Sequence, residues 1–396
     1  MRLGPGAIVA AAFIGPGTVT TAASAGVQTG IALLWAVLFS ILTTWLLQEL
    51  SLRCALATGS DLATLIRRLG SGRIWGAVLV GLVVLAIGVG NAAYQSGNLS
   101  GAGLGLDAAF GIPFEWTIAL AALFAAVLIY SDRYALLERV LVMLVSLMAI
   151  VFVLLAILLL PDILHQPPLR LLPSLQTAHL TLVLALIGTT VVPYNLFLHA
   201  TAARKRWAGF DPAAALREAR TEARWAIALG GVVTAAVVIV ASALSVDARE
   251  GTGLALVITA IEARFPHGGR YLLGGGLFAA GLSSAITAPV AAGWAVCGAL
   301  GWSTEAGSRA FRGVALTVLL IGCVFALFAT RPEALIITAQ ATNASLLPII
   351  AILLLLVANS RHVPAAYRNG GWRNLFAGGA TLLVLWLAAL KLLALV

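Results

Sequence analysis

Two short stretches decide how this chain folds: Phe13-Ile14-Gly15-Pro16-Gly17-Thr18 near its start, and Gly188-Thr189-Thr190-Val191-Val192-Pro193-Tyr194-Asn195 near its middle. Each lies inside a long apolar run. Proline removes a backbone donor and glycine is a poor helix former, so each stretch should open its helix partway along. Carbonyl groups freed at membrane depth are costly in hydrocarbon and are tolerated where they line a cavity or are buried in protein.

The surrounding sequence places both stretches in a membrane. Of 396 residues, 61 % are apolar and 10 % are charged, and the mean hydropathy is +1.04, which excludes an ordinary soluble domain. A spanning helix needs roughly 20 mostly apolar residues. Windows of that length place eleven spans near 5–27, 31–56, 74–98, 115–131, 138–160, 177–201, 223–245, 271–299, 310–329, 333–358 and 372–395. The first reads as a retained helix, since no convincing cleavage site follows it. Between 247 and 270, polar residues around Asp247, Arg249 and Glu250 lead into Leu254–Ile261, an amphipathic stretch expected at the interface.

The net charge of +9 and a pI near 10.2 could suggest a nucleic-acid partner. Placement argues against it, because the basic residues fall in short connections. With the N-terminus cytoplasmic, 18 of the 24 Lys and Arg lie inside, and the positive-inside rule is met. The expected location is therefore the cytoplasmic membrane, multi-pass, N-terminus in. Cys54, Cys297 and Cys323 show no CxxC pairing, so neither a disulfide framework nor a thiolate metal site is expected. No HExxH, Walker or GxSxG pattern appears, and Gly101-Ala102-Gly103-Leu104-Gly105 follows a membrane helix, so it reads as small-residue packing. No enzyme activity and no cofactor are expected. A non-transporting sensor is disfavoured because no soluble domain is appended to carry a signal.

The interrupted spans are the first and the sixth. A spacing of five turns an inside-starting helix into an outside-starting one, the mark of a five-plus-five inverted repeat, and paired interruptions point to a substrate site. The whole of 1–396 is expected to be one transporter domain, with 1–160 and 177–358 as the repeats and 372–395 as an additional helix.

Several stretches in order along the chain carry a family resemblance. Gly4-Pro5-Gly6 followed by Phe13–Thr18 is similar to the opening of the Nramp divalent-metal transporters, which have Asp-Pro-Gly-Asn at the first break. Ala32-Leu33-Leu34-Trp35, Gln48 and Thr58-Gly59-Ser60-Asp61-Leu62-Ala63 resemble the second helix and following loop of that family. Gly276–Thr287 resembles its eighth helix, and Val192-Pro193-Tyr194-Asn195 stands where it has Met-Pro-His-Asn. The resemblance implies an all-α, LeuT-like fold, a substrate held between broken helices 1 and 6, and alternating access.

Departures from that pattern fall on the ligands. The family holds its ion through the aspartate and asparagine of the first break and the methionine of the sixth helix, and here those positions read Gly15, Thr18 and Val192. A dehydrated divalent ion in a low-dielectric interior normally needs carboxylate charge. All fifteen acids are expected at span ends or in connections. Two acidic positions of the family's third helix align with Gln95 and Asn98, and of the sixth-helix histidines only His199 remains, the other being Tyr194. Arg312 matches an arginine that the family keeps in its ninth helix and is expected to snorkel. What is left is a polar, uncharged lining of Thr18, Gln95, Asn98, Thr189, Thr190, Tyr194, Asn195, Gln340 and Asn343.

The expected substrate site is therefore Gly15, Pro16, Gly17, Thr18, Thr190, Val192, Tyr194, Asn195 and Gln340, with Gln95, Asn98 and His199 along the pathway or handling protons, and no identifiable metal ligands. Expected partners are a small inorganic ion or small polar solute and the lipid bilayer, for a protein acting as a monomer. If the ion is a metal, an all-oxygen shell favours a hard one such as magnesium. The alternative on the same fold is a small anion or neutral solute met by the positive ends of the half-helices.

Overall fold

A computed structural model describes Gly6 and residues 13–70, 72–131, 134–163, 173, 176, 179–243, 253–266 and 268–393. In chain order the helices are α1 (Pro16–Thr29), α2 (Leu34–Thr58), α3 (Leu62–Leu69), α4 (Arg73–Val83), a π-helical turn (Val84–Val89), α5 (Gly90–Phe110), α6 (Phe114–Tyr130), α7 (Tyr134–Ile163), α8 (Leu180–Thr190), α9 (Pro193–Arg206), α10 (Pro212–Ala243), α11 (Gly253–Arg264), α12 (Gly269–Leu300), α13 (Arg309–Leu327), α14 (Pro332–Asn359) and α15 (Gly371–Leu393). Among the described residues, eight helical segments are long and apolar enough to cross a membrane, and Phe114–Tyr130 and Ala149–Pro161 are shorter apolar helices. These ten correspond to the second to eleventh expected spans. Gly4 and Pro5, most of the inner half of span one, and Asp247, Arg249 and Glu250 lie outside the described residues.

Both interruptions are present. Phe13 is helical, Ile14 and Gly15 leave the helix, and α1 restarts at Pro16, whose missing N–H costs nothing in a first turn. In the sixth span, α8 ends at Thr190, Val191 and Val192 are non-helical, and α9 restarts at Pro193. This sixth span is the most enclosed, with 94 % of its apolar window buried, against 22 % for Ile74–Phe110 and for Gly371–Leu390. It forms the centre of the molecule, while α4 and α15 face outward.

Small residues bring the central helices together, as they do where apolar burial cannot distinguish protein from lipid. A Cβ at Gly105 would stand 2.5 Å from the Phe278 nitrogen, one at Gly274 2.5 Å from the Gly105 carbonyl oxygen, and one at Gly281 2.5 Å from the Ala102 nitrogen. The run 101–105 thus serves as the packing segment that the sequence suggests, seating α5 on α12. In the same way Gly26 admits the backbone of α10 at Val238.

Two expectations are revised. The 254–261 stretch lies in α11, whose Leu254, Val257 and Ile261 are buried against α1 and α12, so its apolar face meets protein rather than lipid. Glu49 is not at a span end but inside α2, buried and paired with Arg53 at 3.1 Å and with Arg220 of α10. Arg53 in turn donates to the Tyr367 carbonyl and, at 2.5 Å, to the Asn369 side chain, tying α2 to the α14–α15 connection. The guanidinium of Arg312 lies 4.5 Å from the centroid of the exposed Tyr130 ring, a contact compatible with the expected snorkelling.

Candidate substrate site

The two breaks meet. Thr18, in the first turn of α1, donates to the Phe13 carbonyl at 2.8 Å, and this satisfies an acceptor freed where the first span opens. Its Oγ1 is also 2.8 Å from Thr189 Oγ1. With the Thr18 proton already committed, Thr189 is the donor, so one hydrogen bond joins α1 to α8 across the interruptions. Asn343 of α14 donates to the Gly188 carbonyl at 3.0 Å. Thr44 of α2 donates to the Thr190 carbonyl at 3.3 Å, and Ser51 to the Leu196 carbonyl at 2.6 Å. Carbonyls near the breaks thus find partners on neighbouring helices, as interrupted membrane helices require.

Gln340 sits where the halves converge. A Cβ on Gly17 would collide with its amide, and one on Gly188 with its backbone carbonyl, so both glycines are needed for space. Gln340 Oε1 and both polar atoms of the Asn195 side chain are buried and have no protein hydrogen-bond partner. Tyr94 and Tyr194 meet edge to face with ring centroids 5.6 Å apart. The Tyr94 hydroxyl points toward Gln340, Thr189 and Tyr194 without an aligned bond.

The expected site residues therefore gather in one place, with distinctions. Gly15, Pro16, Gly17, Thr18, Thr190, Val192, Tyr194, Asn195 and Gln340 are all buried at or beside the breaks. Thr190 turns its hydroxyl back to the Leu186 carbonyl at 3.0 Å, so it contributes backbone rather than side chain. Gln95 faces α12, donating to the Ala285 carbonyl at 3.0 Å, and Asn98 donates to Gln95 Oε1 at 3.2 Å. His199 Nδ1 lies 2.8 Å from Gln48 Oε1 of α2, which fixes the ring deep in the bundle. Sequence reading passed over Tyr94, Thr44 and Ser284. The available signal was a hydroxyl interrupting an otherwise apolar or small-residue helix face.

No charged side chain is found at the breaks among the described residues. Among the described residues, no group of three or more His, Cys, Asp or Glu side chains could hold a metal ion. The arrangement offers hydroxyl, amide and backbone oxygens only, a hard and neutral donor set.

The Nramp family profile, natural resistance-associated macrophage protein-like, matches residues 6–394. The chain belongs to the Nramp family. The divalent metal cation transporter MntH 1 of Pseudomonas aeruginosa is 30 % identical over 344 residues, covering 82 % of this chain and 75 % of that protein. MntH of Bacillus subtilis is 26 % identical over 410 residues, covering 99 % and 90 %. Among solved structures, the Eremococcus coleocola manganese transporter in complex with an aromatic bis-isothiourea compound has a TM-score of 0.80 at 24 % identity, covering 97 % of this chain and 84 % of that one. A nucleobase-cation-symport-1 family transporter in a closed conformation has a TM-score of 0.66 at 13 % identity, covering 99 % and 90 %. This Nramp chain is thus a multi-pass, all-α membrane protein with the LeuT-like inverted-repeat fold.

Proposed function

We propose that this Nramp protein is a secondary transporter of the cell membrane that moves a divalent metal cation by alternating access around the two breaks. The observation that carries the reading is the Thr18–Thr189 bridge, which joins two interrupted helices at a buried polar site. Its relatives named as divalent metal cation transporters supply the substrate class. The inverted repeats are 1–160 and 177–358, with 372–395 outside them, the N-terminus cytoplasmic and the monomer as the working unit.

The ion is a hard one that keeps part of its water. With Val192 in place of a thioether and Gly15 in place of a carboxylate, neither softness nor charge favours manganese or iron over magnesium. Neutral oxygens offset only part of an ion's desolvation cost, so retaining water is the lower-energy arrangement.

Flux into proteoliposomes tests this with magnesium, manganese and iron(II) added separately. Magnesium should enter, and manganese should show no advantage over it. A second reading, a small anion or neutral polar solute, is favoured by the uncharged lining together with the half-helix starts at Pro16 and Pro193. Silence toward all three cations, with thermal stabilisation by small anions or zwitterions, would put that reading first.

A further inference from the structure

Gly15 has φ −104° and ψ 175°, an extended conformation that any residue adopts. Its glycine is therefore explained by space. A Cβ built there would stand 2.7 Å from Ser284 Oγ on α12 and 3.7 Å from the Tyr94 hydroxyl on α5. The room in front of the first break is filled by a hydroxyl from another helix.

That hydroxyl differs from its neighbours. Ser283 donates back to the Ala280 carbonyl at 3.0 Å and Thr287 to the Ser283 carbonyl at 3.1 Å, the usual fate of hydroxyls in membrane helices. Ser284 is fully buried, yet its Oγ has no protein partner. Gln340 Oε1 and the Asn195 amide are in the same state. A buried polar atom without a partner is destabilising, and native proteins keep few of them. Several beside the two breaks, on α9, α12 and α14, are what a polar occupant would satisfy.

We propose that Ser284 is a substrate-binding residue whose hydroxyl oxygen takes the place of a side chain at position 15 and helps set the preference for a hard, partly hydrated divalent cation. The assignment rests on the cation reading above. It places one wall of the site on α12, outside the two broken helices. Position 15 and the Ser284 hydroxyl share one volume, so a side chain at the first displaces the second.

Calorimetric titration of the full-length protein in nanodiscs with magnesium chloride at constant ionic strength tests the pairing. Ser284→Ala should weaken magnesium binding about tenfold, the order expected for losing one contact to a charged group. Gly15→Ala should weaken it similarly by pushing the hydroxyl aside, and the double variant should be no worse than either single one. Ser284→Cys, which keeps the shape but offers soft sulfur, should bind cadmium more tightly than the parent does. Ser40→Ala serves as the control, because Ser40 donates to Ala36 within its own helix, and it should bind magnesium unchanged. If the parent binds magnesium and Ser284→Ala binds it equally, the role of Ser284 is refuted while the cation reading stands. Additive losses in the double variant would refute the shared volume. Failure of the parent to bind any divalent cation would overturn the cation reading, and this assignment with it.

Discussion

Two buried polar regions of this molecule are built on opposite terms. Around Glu49, α2 and α10 bring one carboxylate and two guanidinium groups together, and Arg53 reaches on to Tyr367 and Asn369. Around the breaks, every described side chain that meets the interruptions is neutral, and several polar atoms have no partner at all. Buried charge is therefore not foreign to this fold. It is kept where it is paired permanently, and it is missing where a ligand would come and go. A fixed ion pair suits a joint. A neutral site with spare oxygens suits an occupant that must also leave.

The largest effect should come from unbalancing the charged region. Glu49→Ala strands Arg53, which is 1 % exposed, and should cost about 3–5 kcal/mol, as breaking a buried pair by removing one partner generally does. The check is the unfolding midpoint of the detergent-solubilised protein. Replacing Glu49 and Arg53 together with leucine should recover much of that loss, and failure to do so would mean the region acts through the loop contacts rather than through charge. In the neutral region, Gly188→Ala should cost about 1–3 kcal/mol through overpacking, since its Cβ would meet the Gln340 carbonyl and stand 2.9 Å from the Ala344 nitrogen. Transport should fall with it, and normal flux would show that the α8–α14 approach is dispensable. A smaller change, Asn343→Ala, frees the Gly188 carbonyl and should cost about 1 kcal/mol, again read from the unfolding midpoint. The smallest effect is expected from pH. With no carboxylate among the described residues of the lining, His199→Gln should leave the shape of the flux–pH curve unchanged, and a flattened curve would place a titrating group in the path after all.

Much of the fold was legible because the signals are strong in a membrane. Gly15-Pro16-Gly17 and Val192-Pro193 announce interrupted helices in the alphabet of backbone donors, and their five-span separation gives the symmetry. The site was legible to the extent that it lies on those same interruptions, as Thr18 and Asn195 do, while Gln340 of α14 was legible only through the family resemblance. Ser284 and Tyr94 were not. Their part depends on how α5 and α12 rotate onto the break, which one-dimensional spacing does not encode. Glu49 was misread for a related reason: it was placed with the acids of span ends and connections, whereas it lies inside α2 and Arg220, 171 residues further along the chain, comes back to pair with it.

The π-helical turn at Val84–Val89 has a geometric consequence for that rotation. One wider turn sets everything after it about 100° around the axis from where an unbroken α-helix would put it. Asn91, Gln95 and Asn98 follow directly, and the first two donate to carbonyls of α12. Removing a single residue from 84–89 should therefore swing that amide stripe away from its partner helix, a change of aim made without touching any residue of the stripe itself.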